Sequence, residues 1–328
     1  MRVAALSGCL CLLLLLAGCG ADTGLWQALN SSELFGGISG NVTCLVPDPQ
    51  LPRVAYACTR NDGVHRVVAD TPGVGDLSVG MAAHSTVRAI ATDPAQRGAV
   101  YAATSTGLYL STSAGDSWTP LNGPPTKSVV SALAVSPSLG TMLTGTGDGG
   151  ILISHDKGAR WYEPSQGPAS GHAVTQLLWD EPGHAALALT DVGEVYRSAD
   201  AGDTWQPQSE GLDQGTQVRA LALAGATIYA GASTGLFASA DAGQHWAKLR
   251  LPLTGEIGAV GVSGDGKTVL AASGAQVVVS QNAGQTWASV GGPTGAVVGL
   301  VTQLQDANHH PVTIAQTTTL LRYPGLGG

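Results

Sequence analysis

Charge is what this sequence has least of. Only 12% of its 328 residues are Asp, Glu, Lys or Arg and only 5% are aromatic, against about 25% charged in an average soluble domain. That scarcity excludes a disordered chain or a coiled coil, both of which depend on charged surface. Lys and Arg number 15 against 23 Asp and Glu, a net charge of −8. No basic surface is left to neutralise a phosphate backbone, so nucleic acid is excluded as a partner. His84, His155, His172, His184, His245 and the pair His309-His310 lack metal-ligand spacing, so neither a metal nor a cofactor is expected. No G-x-S-x-G followed by a helix marks a nucleophile elbow. Gly145-Thr146-Gly147-Asp148-Gly149-Gly150 matches G-x-G-x-x-G formally, but it precedes a strand pattern, where no helix N-terminus is available for a pyrophosphate.

The one long apolar run lies at the start. Arg2 precedes Leu10 to Leu16, a stretch too short to span a bilayer and suited to the core of an export signal. Leu16-Ala17-Gly18-Cys19 resembles a bacterial lipobox. That resemblance implies cleavage before Cys19, acylation of that residue and durable attachment to a membrane surface. Residues 1–18 are read as the signal peptide, 19–25 as a lipid-anchored linker and 26–324 as the folded domain. The protein is expected outside the cytoplasm, held at a bacterial cell membrane.

With Cys9 and Cys11 in the signal and Cys19 taken by lipid, Cys44 and Cys58 are the only possible internal pair. Antiparallel strands from Val42 to Val46 and Val54 to Cys58 would set them opposite or nearly so. A cross-strand disulfide is the first choice, with free thiols the alternative.

What the chain has in abundance is repetition. STSAGDSW at Ser111, SHDKGARW at Ser154, SADAGDTW at Ser198, SADAGQHW at Ser239 and SQNAGQTW at Ser280 recur every 41 to 44 residues. The pattern S-x-D-x-G-x-T-W resembles the Asp-box, or BNR repeat, of sialidase-like β-propellers. Asp156, Asp200, Asp241 and Asn282 supply short acceptors for local N–H groups, and the glycine permits positive φ. Trp118, Trp161, Trp205, Trp246 and Trp287 each begin a strand and bury a ring between neighbouring sheets. Ser113 replaces the acid in the first copy, and Arg160 and His245 replace the hydroxyl residue in two others.

Ahead of each box lie short strand patterns, such as Val87 to Ala91, Val100 to Thr104 and Gly107 to Ser111. Val42 to Val68 aligns with them but has lost its box. Val297 to Tyr323 supplies three strands and no tryptophan, and Trp26 to Leu29 looks like the missing fourth. The expected fold is therefore all-β: a seven-bladed β-propeller of four-stranded antiparallel blades, the last closed by the N-terminal strand.

A carboxylate repeated in every blade is a turn device, since a catalytic acid is needed only once or twice. The sialidase resemblance implies an arginine cluster, a tyrosine nucleophile and an acid, yet no Arg-Ile-Pro motif is present; Leu51-Pro52-Arg53-Val54 does not substitute for it. Xyloglucan hydrolases of this type use a cleft between two propellers, and this chain has length for one. Loops between second and third strands and those entering first strands form the expected ligand face, contributing Arg60, Asp62, His84, Lys127, Asp148, His172, Asp191 and Glu194. Arg88 and Arg219 occupy one repeat position, filled elsewhere by Thr43, Ser131, Gln176, Gly258 and Val298. No catalytic residue is assigned. A non-catalytic protein-binding or scaffolding role is expected, with a protein or a cell-envelope glycan as partner; glycan binding or a sialidase-like or xyloglucanase-like hydrolase is the alternative. The repeats also resemble photosystem II assembly and stability factors, in architecture only.

Overall fold

The structure is a computed structural model, described for residues 27–28, 42–60, 63–68, 77–82, 85–123, 129–136, 138–168, 171–180, 185–293, 296–305, 311–316 and 320–324. It is all-β, and its sheets are antiparallel. Six blades are built from consecutive strands. Blade one comprises Val42–Pro47, Val54–Thr59 and Val64–Val68; blade two, Val87–Thr92, Val100–Thr104, Gly107–Ser111 and Thr119–Leu121. Blade three holds Val130–Val135, Met142–Thr146 and Ile151–Ser154; blade four, Val174–Asp180, Ala185–Thr190, Val195–Ser198 and Gln206–Pro207. Blade five holds Val218–Ala224, Thr227–Ala232, Gly235–Ser239 and Ala247–Lys248; blade six, Ala259–Val262, Val269–Ser273, Gln276–Ser280 and Ala288–Ser289. A composite sheet adds Gln27–Ala28 to Gly299–Gln305, Pro311–Gln316 and Leu320–Pro324, pairing Gln27 with Arg322 and Ala28 with Leu321.

The expectation of a seven-bladed propeller of four-stranded blades is corrected by this topology, which gives six blades. Only six blades are continuous in sequence, and blades one and three have three strands each. In blade three the outer strand shrinks to a single bridge between Ile153 and Tyr162. Pro164 follows at once, and Ser165 turns away to donate its N–H to Asp203 O of blade four at 2.9 Å. Proline biases its predecessor to an extended conformation and brings no N–H of its own to a ladder. The expected closing residue Trp26 and the anchor Cys19 lie outside the described residues, as do Asp62, His84, Lys127, His184, His309 and His310.

First strands pack side by side around an axis, each against the first strand of the next blade, and that of the composite sheet packs against both blade six and blade one. In blades one to five each carries a bulge at one shared position: Thr43, Arg88, Ser131, Thr175 and Arg219. The fourth-blade equivalent of the two arginines is thus Thr175, one residue before the expected Gln176. Side chains near these bulges fasten blade to blade. Thr43 Oγ1 donates to Val87 O at 3.1 Å, Ser131 Oγ to Val174 O at 2.7 Å, and Gln316 Nε2 to Val42 O at 3.0 Å. Gln176 grips the next blade twice, donating to Leu221 O at 2.7 Å and accepting from Leu221 N at 2.9 Å.

Between blades the core is aliphatic, with one tryptophan wedge per repeat turn. Trp118 packs with Tyr56 and Val64 of blade one, Trp205 with Leu143 and Ile153 of blade three, and Trp246 with Leu187 and Leu189 of blade four. All three are buried, whereas Trp161 and Trp287 are only partly covered. Cys44 and Cys58 face each other across the first two strands and form a disulfide.

Candidate functional site

Two faces of the disc differ in what they carry. On one, three of the repeat turns fold back onto the hairpin joining the first two strands: Ala114 N bonds Gly98 O, Lys157 N bonds Gly140 O, and Ala283 N bonds Lys267 O. Ser198 Oγ donates to Asp200 Oδ1 at 2.8 Å and accepts from Gly202 N at 2.8 Å, while Asp200 Oδ1 accepts Thr204 N at 2.9 Å. Asp156, Asp241 and Asn282 repeat this arrangement. The residue before each glycine, Ala114, Lys157, Ala201, Ala242 or Ala283, lies at φ 54 to 59°. These carboxylates are consumed by the turn. The Arg160 N–H holds Asp156 below the usual carboxylate range, and the His245 N–H does the same for Asp241. For Asp200 partial burial works the other way but is outweighed by the Thr204 hydroxyl and N–H.

The opposite face gathers the turns between second and third strands and the connections between blades. Turn and connection are bonded to one another: Gly171 N to Asp148 O at 2.8 Å, Val218 N to Gly193 O at 3.0 Å. Asp148 accepts from Thr146 Oγ1 at 2.5 Å. Asp191 stands 3.7 Å from His172 Nδ1, and Glu194 accepts the Tyr196 hydroxyl at 3.0 Å. Asp148, Asp191 and Glu194 therefore line adjacent blade junctions, each with its own local partner. Arg60 and Arg88 are exposed at blade one and the blade-two bulge.

Within the ring an axial cavity of about 450 Å³ runs beside the first strands of blades one, four, five, six and the composite sheet. Its walls mix polar and apolar surface, the apolar part supplied by residues such as Leu45, Leu178, Val260, Val262 and Leu300. Thr43, Gln176 and Thr302 add polar groups, and Arg219 is the charged residue at its edge. Arg219 is not free. Its Nε lies 3.2 Å from Glu256, and its Nη2 donates to Gln217 at 2.8 Å. Sequence reasoning missed both partners because they sit on the connections entering blades five and six, outside the repeat frame. Arg88, at the equivalent bulge of blade two, does not line the cavity and is exposed. Among the described lining residues there is no Asp, Glu, His or Cys. Among the described residues there is also no group of three His, Cys, Asp or Glu able to hold a metal, and no helix long and apolar enough to cross a membrane.

This architecture, small antiparallel sheets around an axial cavity, is that of a β-propeller. No family model and no curated protein matches the chain. Solved structures do. A GH74 xyloglucanase from Xanthomonas campestris superposes with TM-score 0.67 at 20% identity over 92% of this chain and 53% of the enzyme, so the chain spans about half of that protein's length. YCF48 bound to D1 peptide superposes with TM-score 0.66 at 16% identity, covering 92% of this chain and 97% of that one. RRP9 WD40 repeats give TM-score 0.67 at 12% identity. At these identities the likeness concerns the fold.

Proposed function

We propose that this chain is a non-catalytic binding propeller of the Asp-box type, tethered outside the cytoplasm through acylated Cys19, whose partner is a protein. The observation that carries this reading is the axial cavity and its rim. Glycoside hydrolysis by the usual route takes a pair of carboxyl groups facing the substrate. The described walls offer aliphatic side chains, hydroxyls and one neutralised arginine instead. The face around the mouth presents exposed Val298 and Val129 between charged turns, the mixture of apolar contact and polar rim that suits a protein segment. Support also comes from the near end-to-end match to YCF48, a propeller solved with a peptide bound.

The test is crosslinking in intact cells from a photoreactive residue at Val298, followed by mass spectrometry. A reproducible protein partner, captured less when Arg88→Glu is added, is the expected result. Sugar release from xyloglucan or a sialoside by the purified chain, with no partner captured, would replace this reading by a hydrolase.

A further inference from the structure

The face that carries the repeat turns is unlike in its sectors. Four of the five turns follow one chemistry at the strained position, Ala114, Ala201, Ala242 and Ala283, all at positive φ. Blade three alone places a long cationic side chain there, Lys157 at φ 58°, and puts a second cation, Arg160, where the other turns have Ser117, Thr204, His245 and Thr286. Both are exposed. The fold needs neither, since alanine serves in the other four turns and a hydroxyl in three of them. Around them lie two of the few large apolar side chains left in water: Leu139, 43% exposed, in the hairpin bonded to Lys157, and Tyr162, 49% exposed, beside Arg160. Val79, 66% exposed, follows at the edge of blade two next to Trp118. Asp156 accepts the Arg160 N–H and the Ser154 hydroxyl, which hold it ionised, and Asp203 lies 3.3 Å from His155.

Strand direction supplies the second observation. Gln27 pairs with Arg322 and Ala28 with Leu321, while Leu320 pairs with Gln316 at the opposite end of the same strand. The closing strand therefore runs away from the repeat-turn face, with its first residue, Gln27, at the end nearer that face. Cys19 stands eight residues earlier, within about 28 Å at extended-chain spacing.

We infer that the repeat-turn face lies against an anionic membrane surface, with the Lys157, Arg160, Leu139 and Tyr162 sector as its contact, and that the cavity mouth points away from the bilayer. Cations with an aromatic and an aliphatic side chain are the composition that settles at a lipid interface. Contact on blade three, far around the ring from the tether on the composite sheet, lays the disc flat; a tether alone would leave it free to stand on its rim. This inference rests on the proposed anchoring at Cys19.

Leu139 and Val129 give a matched pair for the test, both in blade three, 43% and 42% exposed, on opposite faces. The full acylated protein, carrying a fluorophore at Leu139→Cys or Val129→Cys, is placed on vesicles of phosphatidylcholine with 30% phosphatidylglycerol containing doxyl lipid. Quenching at Leu139 several-fold stronger than at Val129 is expected, falling at least two-fold with Lys157→Ala/Arg160→Thr, which restores the repeat pattern and preserves the turn. Equal quenching at both sites, or the reverse, overturns the orientation while the anchor stands. Protein that fails to float with vesicles although Cys19 is intact overturns the anchor and the orientation together. Quenching unchanged by the double substitution overturns the two cations as the contact.

Discussion

At the scale of single residues, the repeat turns show how position decides chemistry. Ser, Asp and Gly at fixed spacing were enough to foresee the turn, because each side chain bonds within five residues of itself. Gly243 illustrates the constraint: φ is +87° and an added Cβ would sit 2.8 Å from Leu187 Cδ2 in the core. Gly243→Ala is expected to cost about 2 kcal/mol through strain and overpacking together, read as a lower urea midpoint at unchanged slope. His245 is the informative departure. Its Nδ1 lies 2.5 Å from Asp241 and its Nε2 3.5 Å from Glu210, and the hydrogen bond to Asp241 raises its pKa above the ordinary 6.5. A raised folded-state pKa stabilises fully below 6.5 and loses that contribution as pH climbs through the folded value. The wild-type melting temperature should therefore decline from just below pH 6.5 upward by more than that of His245→Thr, which restores the hydroxyl found in sister turns. Parallel curves across that range would refute the assignment.

At the scale of strands and blades, the sequence announced hairpins and tryptophan wedges but not where a blade would stop short. Trp161 has the same local pattern as Trp205, yet its blade has no outer strand, because Pro164 and the pull of Asp203 O on Ser165 act after the motif ends. Contacts between blades were likewise invisible, as no local pattern reveals that Gln176 reaches across to Leu221. That clasp satisfies one N–H and one C=O on the axial side of blade five, where the strand has no ladder partner. Gln176→Met keeps the volume and leaves both groups unpaired, so it is expected to cost about 2 kcal/mol. Thr43→Val, which removes a single bond to Val87 O, should cost about half as much. Chemical denaturation of the two variants side by side measures the difference, and equal losses would mean the double grip does not act as one.

At the scale of the whole molecule, the ring must hold its own ends together, and it does so at two radii. On the outside, Gln27 and Ala28 complete the composite sheet against Leu321 and Arg322. Near the axis, Gln316 donates to Val42 O, joining the composite sheet to blade one at 3.0 Å. The sequence disclosed the first, because a lone N-terminal strand pattern and a three-strand remainder at the other end need each other. It could not disclose the second, a side-chain bond spanning nearly the full chain. Either closure alone keeps the chain ends adjacent, so the entropy of opening the ring appears only when both are lost. Removing residues 1–28 should lower stability by about 1 to 2 kcal/mol and leave the Leu320–Pro324 edge open to pairing between molecules, seen as self-association in light scattering. Gln316→Ala alone should cost about 1 kcal/mol. Combined, the two changes are expected to exceed their sum by at least 1 kcal/mol, the mark of coupled sites. Strict additivity in the four-variant cycle would mean that the ends are held independently and that the closed ring contributes no cooperativity of its own.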